Sequence, residues 1–171
     1  MNNAPPFTSA GQEIEVSFCL NGEYLTMSLA ANTILADLLR NRLGLKGLNV
    51  SCASGVCGSC TVLVDNEPVS TCSMFAYSLQ GKEIITIEGL GRNGEFSAVQ
   101  QAFMNHSAFQ CGYCTPGMIL LATALLAANP NPSRDEIRSW MSANICRCTG
   151  YEMIFEAVEL AAAATAGGGD G

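Results

Sequence analysis

The residues of this sequence that could do chemistry are its cysteines. Eight of the nine fall into two groups of four. The first group has the spacing C-x4-C-x2-C-x11-C and consists of Cys52, Cys57, Cys60 and Cys72. The second has the spacing C-x2-C-x31-C-x1-C and consists of Cys111, Cys114, Cys146 and Cys148. Four cysteine thiolates are a common ligand set for structural zinc and for iron–sulfur clusters, so the sequence predicts two metal centres.

The first group favours a [2Fe–2S] cluster over zinc. Zinc sites are usually assembled from two close pairs of ligands, whereas here three ligands share one loop and the fourth stands alone. The order C-x4-C-x2-C…C is that of plant-type [2Fe–2S] ferredoxins. Gly55 and Gly58 allow a tight, partly left-handed backbone, and the small side chains of Ala53, Ser54 and Ser59 leave room for backbone N–H groups to approach the sulfurs.

The second group precedes two predicted helices. Its first pair comes immediately before Thr115 and Pro116, a favourable helix start, and its second pair comes before Thr149, a predicted N-cap. Helix N-termini carry free N–H groups and the positive end of the helix dipole, which favour an anionic cluster. We therefore expect a second cluster in this part of the chain.

Disulfides and zinc are the alternatives for these cysteines. No export signal is predicted at the N-terminus, so the cytoplasm is the expected compartment, where structural disulfides are rare. Zinc is disfavoured because the C-x-C pair is an awkward bite for a tetrahedral ion. Cys19, in a predicted strand, is expected to be a structural thiol, and His106, the one histidine, a surface residue at a helix end.

Composition narrows the possible partners. The 171 residues carry a formal net charge of −7, which gives no basis for nucleic-acid binding. The longest apolar run, 117–128, is too short to span a bilayer, so no membrane insertion is predicted. Hydrophobic residues make up 49% and charged residues only 13%, which indicates surfaces buried against partner subunits.

The first half of the sequence predicts strands around one helix. Residues 13–20 and 23–30 alternate apolar and polar side chains and are joined by Asn21-Gly22, a strong hairpin signal. Residues 34–43 have helical spacing, with Asn32 or Thr33 as the expected cap and Gly44 as the stop. Residues 61–70 predict another hairpin, turning at Asp65-Asn66, and residues 83–89 predict a last strand.

The second half predicts helices alone. Four apolar periodic segments of ten to fifteen residues follow a glycine-rich connection, and capping boxes are expected at Ser133 with Glu136 and at Thr149 with Glu152. The fold class is therefore α+β, with a domain of strands followed by a four-helix bundle. We place the domains at 12–88 and 95–165, with flexible tails at 1–11 and 166–171.

Both motifs together resemble a known family. "SCASGVCGSCTV…VSTC" followed by "QCGYCTPGM…NICRCTGY" resembles the small iron–sulfur subunit of the molybdenum hydroxylases, the family of xanthine dehydrogenase, aldehyde oxidase and carbon monoxide dehydrogenase. The resemblance implies a β-grasp ferredoxin-like domain that binds one [2Fe–2S] cluster through the first group. It also implies a four-helix bundle that binds the other cluster through the second group.

The resemblance also implies partners and a function. Gln110 and Cys148 would contact the molybdopterin of a large subunit, while the first cluster would lie toward an FAD-binding medium subunit. The chain would be the non-catalytic electron-transfer subunit of an oxidoreductase that hydroxylates its substrate with water, an N-heteroaromatic compound or an aldehyde. Within the motifs, Ser51 replaces the usual glycine before the first ligand, and Asp65-Asn66 replaces the usual Asp-Gly turn.

Two other functions are compatible with the cysteines. One is a free-standing ferredoxin-type carrier, although such carriers usually present a charged docking face and this chain has few charges. The other is a zinc protein that mediates assembly. The chain has no dinucleotide-binding fingerprint, so any flavin or molybdenum cofactor is expected on a partner.

Overall fold

A computed structural model describes residues 12–91 and 94–166. Five strands in this part of the chain form one mixed sheet in the order β2-β1-β5-β3-β4. The strands are β1 (Glu13–Leu20), β2 (Glu23–Ala30), β3 (Thr61–Val64), β4 (Glu67–Ser70) and β5 (Glu83–Ile85). Strand β5 pairs parallel with β1 and antiparallel with β3, which is the mixed pairing of a β-grasp, ferredoxin-like sheet.

The two predicted hairpins are confirmed. β1 and β2 pair antiparallel up to Leu20 opposite Glu23, and the turn residues Asn21 and Gly22 have φ of 51° and 88°. The β3–β4 turn has Asp65 at φ 51° and Asn66 at φ 67°. Two consecutive residues with positive φ make the turn type that matches strand twist, and asparagine and aspartate tolerate that conformation. The departure from Asp-Gly is therefore accommodated.

The helix of the first half is shorter than expected, and it begins without the expected cap. It comprises a three-residue turn, α1 (Leu35–Asp37), that continues as a π-helical turn over Leu38–Arg42, and Gly44 follows it with φ 75°. The expected cap at Asn32 or Thr33 is wrong, because Ile34 is the N-cap and makes no side-chain cap bond. The backbone of the 71–76 segment replaces the cap, since Leu35 N–H donates to Met74 O at 2.8 Å.

Four helices form the second half within residues 94–166, as predicted, although two of them have eight residues and the last has sixteen, outside the expected ten to fifteen. They are α2 (Ala98–Asn105), α3 (Thr115–Ala128), α4 (Arg134–Met141) and α5 (Tyr151–Ala166). Helix α3 is apolar on every side because the other helices cover one side of it and the sheet covers another. Leu120 and Ala124 of α3 pack with Leu63 of β3, so α3 joins the two halves through a small shared core.

The helix starts confirm one predicted capping box and contradict the other. Ser133 and Glu136 form a complete capping box at α4. Thr149 cannot act as the predicted cap of α5, because it lies in the left-handed region at φ 58° and the helix begins only at Tyr151. An unpredicted capping box at Ser97 and Gln100 starts α2.

The chain ends were only partly predicted. Helix α5 continues to Ala166, the first residue of the predicted C-terminal tail, and the rest of both predicted tails lies outside the described residues.

Cys19 lies in β1, and His106 is the exposed C-cap of α2, as expected. The division at 12–88 and 95–165 stays a prediction. Every helix within the described ranges is too short or too polar to cross a bilayer.

Replacing Ser133 with Ala should destabilise the helical half by about 1 kcal/mol, because the N-cap side chain satisfies the Glu136 N–H. The measurement is the urea unfolding midpoint followed at 222 nm under argon. Ser139→Ala, at an exposed position on the same helix, is the matched control and should leave the midpoint within error. An equal loss in both variants would contradict the role of the cap.

Candidate metal centres

The first centre is a loop that curls around its own sulfurs. Ala53, Gly55 and Gly58 have φ of 51°, 76° and 70°, which turns the backbone repeatedly toward the cysteines. The N–H groups of Ser54 and Cys57 each donate to Cys52 Sγ at 3.4 Å. The predicted left-handed path at the two glycines is thus present, and it aims N–H groups at sulfur.

The fourth cysteine of this group reaches the loop from the sheet. Cys72 lies in a 3-10 turn, Thr71–Ser73, that follows β4. Its Sγ accepts the N–H of Gly55 at 3.3 Å. Thr71, next to it, is held because its Oγ1 donates to Cys60 O at 2.9 Å. The four predicted ligands therefore come together through one loop and one strand end.

The pKa values of two thiols in this group are shifted in opposite directions. Hydrogen bonds from the Ser54 side chain and from the backbone N–H groups of Cys57 and Ser54 lower the pKa of Cys52 to about 5. Burial raises the pKa of Cys72, and the neighbouring Cys60 thiol raises it further. Cys57 is thus the thiol neighbour of Cys52 and Cys60 that of Cys72, while Cys52 also raises the pKa of Cys72, so the two pairs are adjacent.

The second centre also has two pairs of thiols. The N–H of Tyr113 and the neighbouring thiol of Cys148 lower the pKa of the exposed Cys111. Burial, followed by the neighbouring Cys146, raises the pKa of Cys114 to about 12. Cys146 Sγ also accepts the N–H of Gly150 at 3.4 Å. The C-x2-C and C-x-C segments therefore face each other at the start of α3 and before α5.

Paired thiols fit a binuclear cluster. In a [2Fe–2S] cluster with four cysteine ligands each iron takes two thiolates, so the sulfurs approach in two pairs. A single zinc ion needs all four sulfurs around one point. Backbone N–H donors to the sulfurs, seen at both centres, are what an anionic cluster requires.

Comparison with known proteins agrees with this arrangement. Residues 19–85 match the 2Fe-2S iron-sulfur cluster binding domain family, and residues 86–159 match the [2Fe-2S] binding domain family. The small FeS subunit of nicotinate dehydrogenase from Eubacterium barkeri is 47% identical over 87% of this chain and 95% of that subunit. This chain belongs to the small iron–sulfur subunits of the molybdenum hydroxylases.

Other members agree in sequence and fold. The nicotine 6-hydroxylase small subunit from Paenarthrobacter nicotinovorans is 43% identical over 88% of this chain and 90% of that subunit. The crystal structure of quinoline 2-oxidoreductase from Pseudomonas putida 86 contains a chain that superposes with a TM-score of 0.87 at 43% identity, covering 92% of this chain and 99% of that one. The fold is therefore that of a molybdenum hydroxylase iron–sulfur subunit.

The two residues predicted to contact a pterin are neighbours at the surface. Gln110 is exposed, and its Nε2 donates to Cys148 O at 3.2 Å. That bond ties the residue before Cys111 to the C-x-C segment, so Gln110 and the Cys148 carbonyl occupy the same edge of the second centre. Their contact with a pterin stays a prediction.

Sequence reasoning missed the residues that join the two centres. Ile145 N–H donates to Cys57 O at 2.9 Å. Tyr113 donates its hydroxyl to Val50 O, and Asn49 Nδ2 donates to Tyr113 O, each at 2.9 Å. The one signal in the sequence was the aromatic Tyr113 inside an otherwise small C-G-Y-C loop. Periodicity has no means of indicating a backbone contact between two loops.

Replacing Cys148 with Ser should remove the second centre alone, because its ligands come from segments separate from the first. In the purified protein, iron should fall by about half, and the electron paramagnetic resonance signal of the first centre should remain. Cys19→Ser is the matched control and should retain all the iron. Loss of both signals, or of neither, would contradict the assignment of ligands.

Proposed function

We propose that this chain transfers electrons inside a molybdenum hydroxylase, from the molybdopterin of a large subunit to FAD on a medium subunit. The observation that carries the proposal is that one chain holds two separate four-cysteine centres joined by a direct backbone hydrogen bond. The ligands would be Cys52, Cys57, Cys60 and Cys72 for one [2Fe–2S] cluster and Cys111, Cys114, Cys146 and Cys148 for the other. Such clusters accept and release one electron at a time.

The chain provides a short covalent and hydrogen-bonded connection between the centres. Cys57 is a proposed ligand of the first cluster, and its carbonyl accepts the N–H of Ile145. Ile145 is bonded directly to Cys146, a proposed ligand of the second cluster. One hydrogen bond and one peptide unit therefore separate two ligands of different clusters. This supports electron transfer between the centres rather than two independent sites.

The exposed edge of the second centre suits a large subunit. Cys111 and Gln110 are exposed there, and Phe109 and Tyr113 are each 45% exposed beside them. An apolar cavity of about 330 Å³ lined by Phe96, Phe109 and neighbouring side chains continues from this edge. Aromatic side chains exposed around a redox centre support burial against a partner. We assign this edge to the molybdopterin subunit, with Gln110 and Cys148 toward the pterin.

The exposed edge of the first centre suits the flavin subunit. Cys52 is exposed, and Val56 on the same loop is 67% exposed. Phe75 and Tyr77, three and five residues after Cys72, are exposed and stacked with their ring centroids 5.7 Å apart. The two exposed edges would give an electron one way in and another way out. A freely diffusing carrier needs only one docking edge, so the proposed complex explains more of the surface.

We propose an N-heteroaromatic substrate for the complex. The named relatives with 43–47% identity over most of both chains are parts of enzymes whose names specify nicotinate, nicotine and quinoline. Two aldehyde oxidoreductases, from Megalodesulfovibrio gigas and Escherichia coli, are less similar, at 39% and 38% identity. Hydroxylation would replace a ring C–H with C–OH using oxygen from water, and release two electrons and two protons. The large subunit would carry out that step, and this chain would remove the electrons.

Substrate reduction of the purified complex tests the proposal. The chain, tagged and isolated under argon with its partners, should contain molybdenum, pterin and flavin. Nicotinate or quinoline should bleach the cluster absorbance, while the complex with Cys148→Ser should keep its molybdenum but lose fast reduction of the first centre. If benzaldehyde alone bleached the clusters, the substrate class would be an aldehyde and not an N-heteroaromatic compound. Isolation of the chain by itself, without molybdenum, would contradict the electron-transfer complex and favour a free carrier.

A further inference from the structure

The side chain of Asn144 is a buried polar group whose role the two centres do not explain. This residue is 0% exposed, and within the described residues neither Oδ1 nor Nδ2 has a hydrogen-bond partner. Buried polar groups are nearly always paired, so an unpaired amide calls for a reason other than stability. Asn144 follows α4 and precedes Cys146 by two residues. It therefore lies at the junction of the two centres.

Two glycines form the seat of this side chain. A Cβ atom added to Gly117 of α3 would lie 2.6 Å from Asn144 Nδ2 and 2.7 Å from Gly58 O. A Cβ atom added to Gly58 would lie 2.6 Å from Ala143 O and 2.9 Å from Asn144 Cα. Real Cβ atoms essentially never approach so closely, so three backbone segments meet here without room for one more methyl group.

The Gly58 carbonyl beside this seat is already hydrogen-bonded. Its oxygen already accepts the N–H of Thr61 at 3.0 Å and the hydroxyl of Thr61 at 2.7 Å, which occupies both lone pairs. The Asn144 side chain has no hydrogen-bond partner of its own in this packed space. Its contribution is to fill the space between Gly58 and Gly117 with a flat side chain.

Each of the three segments carries a cysteine of the centres. Gly58 follows Cys57, Gly117 follows Cys114 by three residues, and Asn144 precedes Cys146 by two. The hydrogen bond from Ile145 N–H to Cys57 O starts at the residue next to Asn144. The seat of Asn144 therefore lies among segments that carry cysteines of both centres.

We propose that Asn144 is a positioning residue whose side chain, seated between Gly58 and Gly117, fixes the separation and orientation of the two cysteine centres. The inference rests on the proposed two-cluster function. It differs from a purely stabilising role because it concerns the relation between the centres and not their formation. Each centre keeps its own four cysteines whether or not Asn144 fills its seat.

The test uses the complete complex with Asn144→Ala and, as matched control, Asn131→Ala at an exposed position between α3 and α4. After reduction of both clusters with dithionite, the wild type and Asn131→Ala should show a magnetic interaction between the two signals. Asn144→Ala should retain both signals at full intensity with a weaker interaction. Electron exchange between the centres should be measurably slower in Asn144→Ala than in Asn131→Ala, because the two centres are no longer held at one separation and orientation.

Hydrogen exchange provides a readout that does not depend on the clusters' spectra. The amide of Ile145 should exchange about tenfold faster in Asn144→Ala than in Asn131→Ala, because opening of the junction frees its N–H. Unchanged interaction and unchanged exchange in Asn144→Ala would overturn the inference. If the wild type itself showed no second cluster signal, the proposed function would fail instead, so the two failures are distinguishable.

A second variant covers the case in which Asn144→Ala does not assemble both clusters. Gly117→Ala keeps Asn144 and adds one methyl group to its seat, where the added carbon would lie 2.6 Å from Nδ2. It should weaken the interaction between the signals in the same way. An interaction equal to that of the wild type would overturn the proposal.

Discussion

The constraint on which this structure depends is the cost of removing thiolates from water. An anionic sulfur that loses its hydration must receive hydrogen bonds from the protein, and side chains alone supply few of them at close range. The partly or fully buried sulfurs of Cys72 and Cys146 receive backbone N–H groups from Gly55 and Gly150, and the exposed Cys52 receives those of Ser54 and Cys57. The left-handed residues of the first loop are a consequence of this requirement.

The same constraint explains how the two halves of the chain fit together. Loops that wrap closely around sulfur must themselves be small and tightly packed, so they can approach each other at the backbone. Cys57 and Ile145 are joined by such a contact, and Tyr113 reaches Val50 beside it. Helix α3 also connects the two halves through its contact with Leu63 of β3. The arrangement places the two cysteine groups next to each other, each with an exposed edge.

Much of this architecture was predictable from the sequence because it rests on local rules. Alternation gave both hairpins, Asn21-Gly22 and Asp65-Asn66 gave their turns, and the spacing of the cysteines gave two groups of four. The errors arose where distant backbone replaced a local signal. The N–H of Leu35 donates to the carbonyl of Met74, so a side-chain cap at Thr33 is not needed. Thr149 is left-handed because the chain must turn from Cys148 into α5, which a helix cap does not allow.

The junction between the centres was beyond prediction for a related reason. Asn144 and Ile145 lie in a turn with no periodicity, and their partners Gly117, Gly58 and Cys57 lie in other elements far along the chain. Only a three-dimensional structure shows that Gly58 and Gly117 are small because they face each other across an amide. In contrast, the left-handed backbone at both Gly55 and Gly58 was expected from their place among the cysteines.

The measurement that tests the central claim most directly is low-temperature electron paramagnetic resonance of the dithionite-reduced protein, combined with analysis of iron and acid-labile sulfide. The account predicts about four irons and about four sulfides per chain, with two distinct S = 1/2 signals of equal intensity. Zinc without sulfide, or a single cluster in the fully loaded protein, would contradict it.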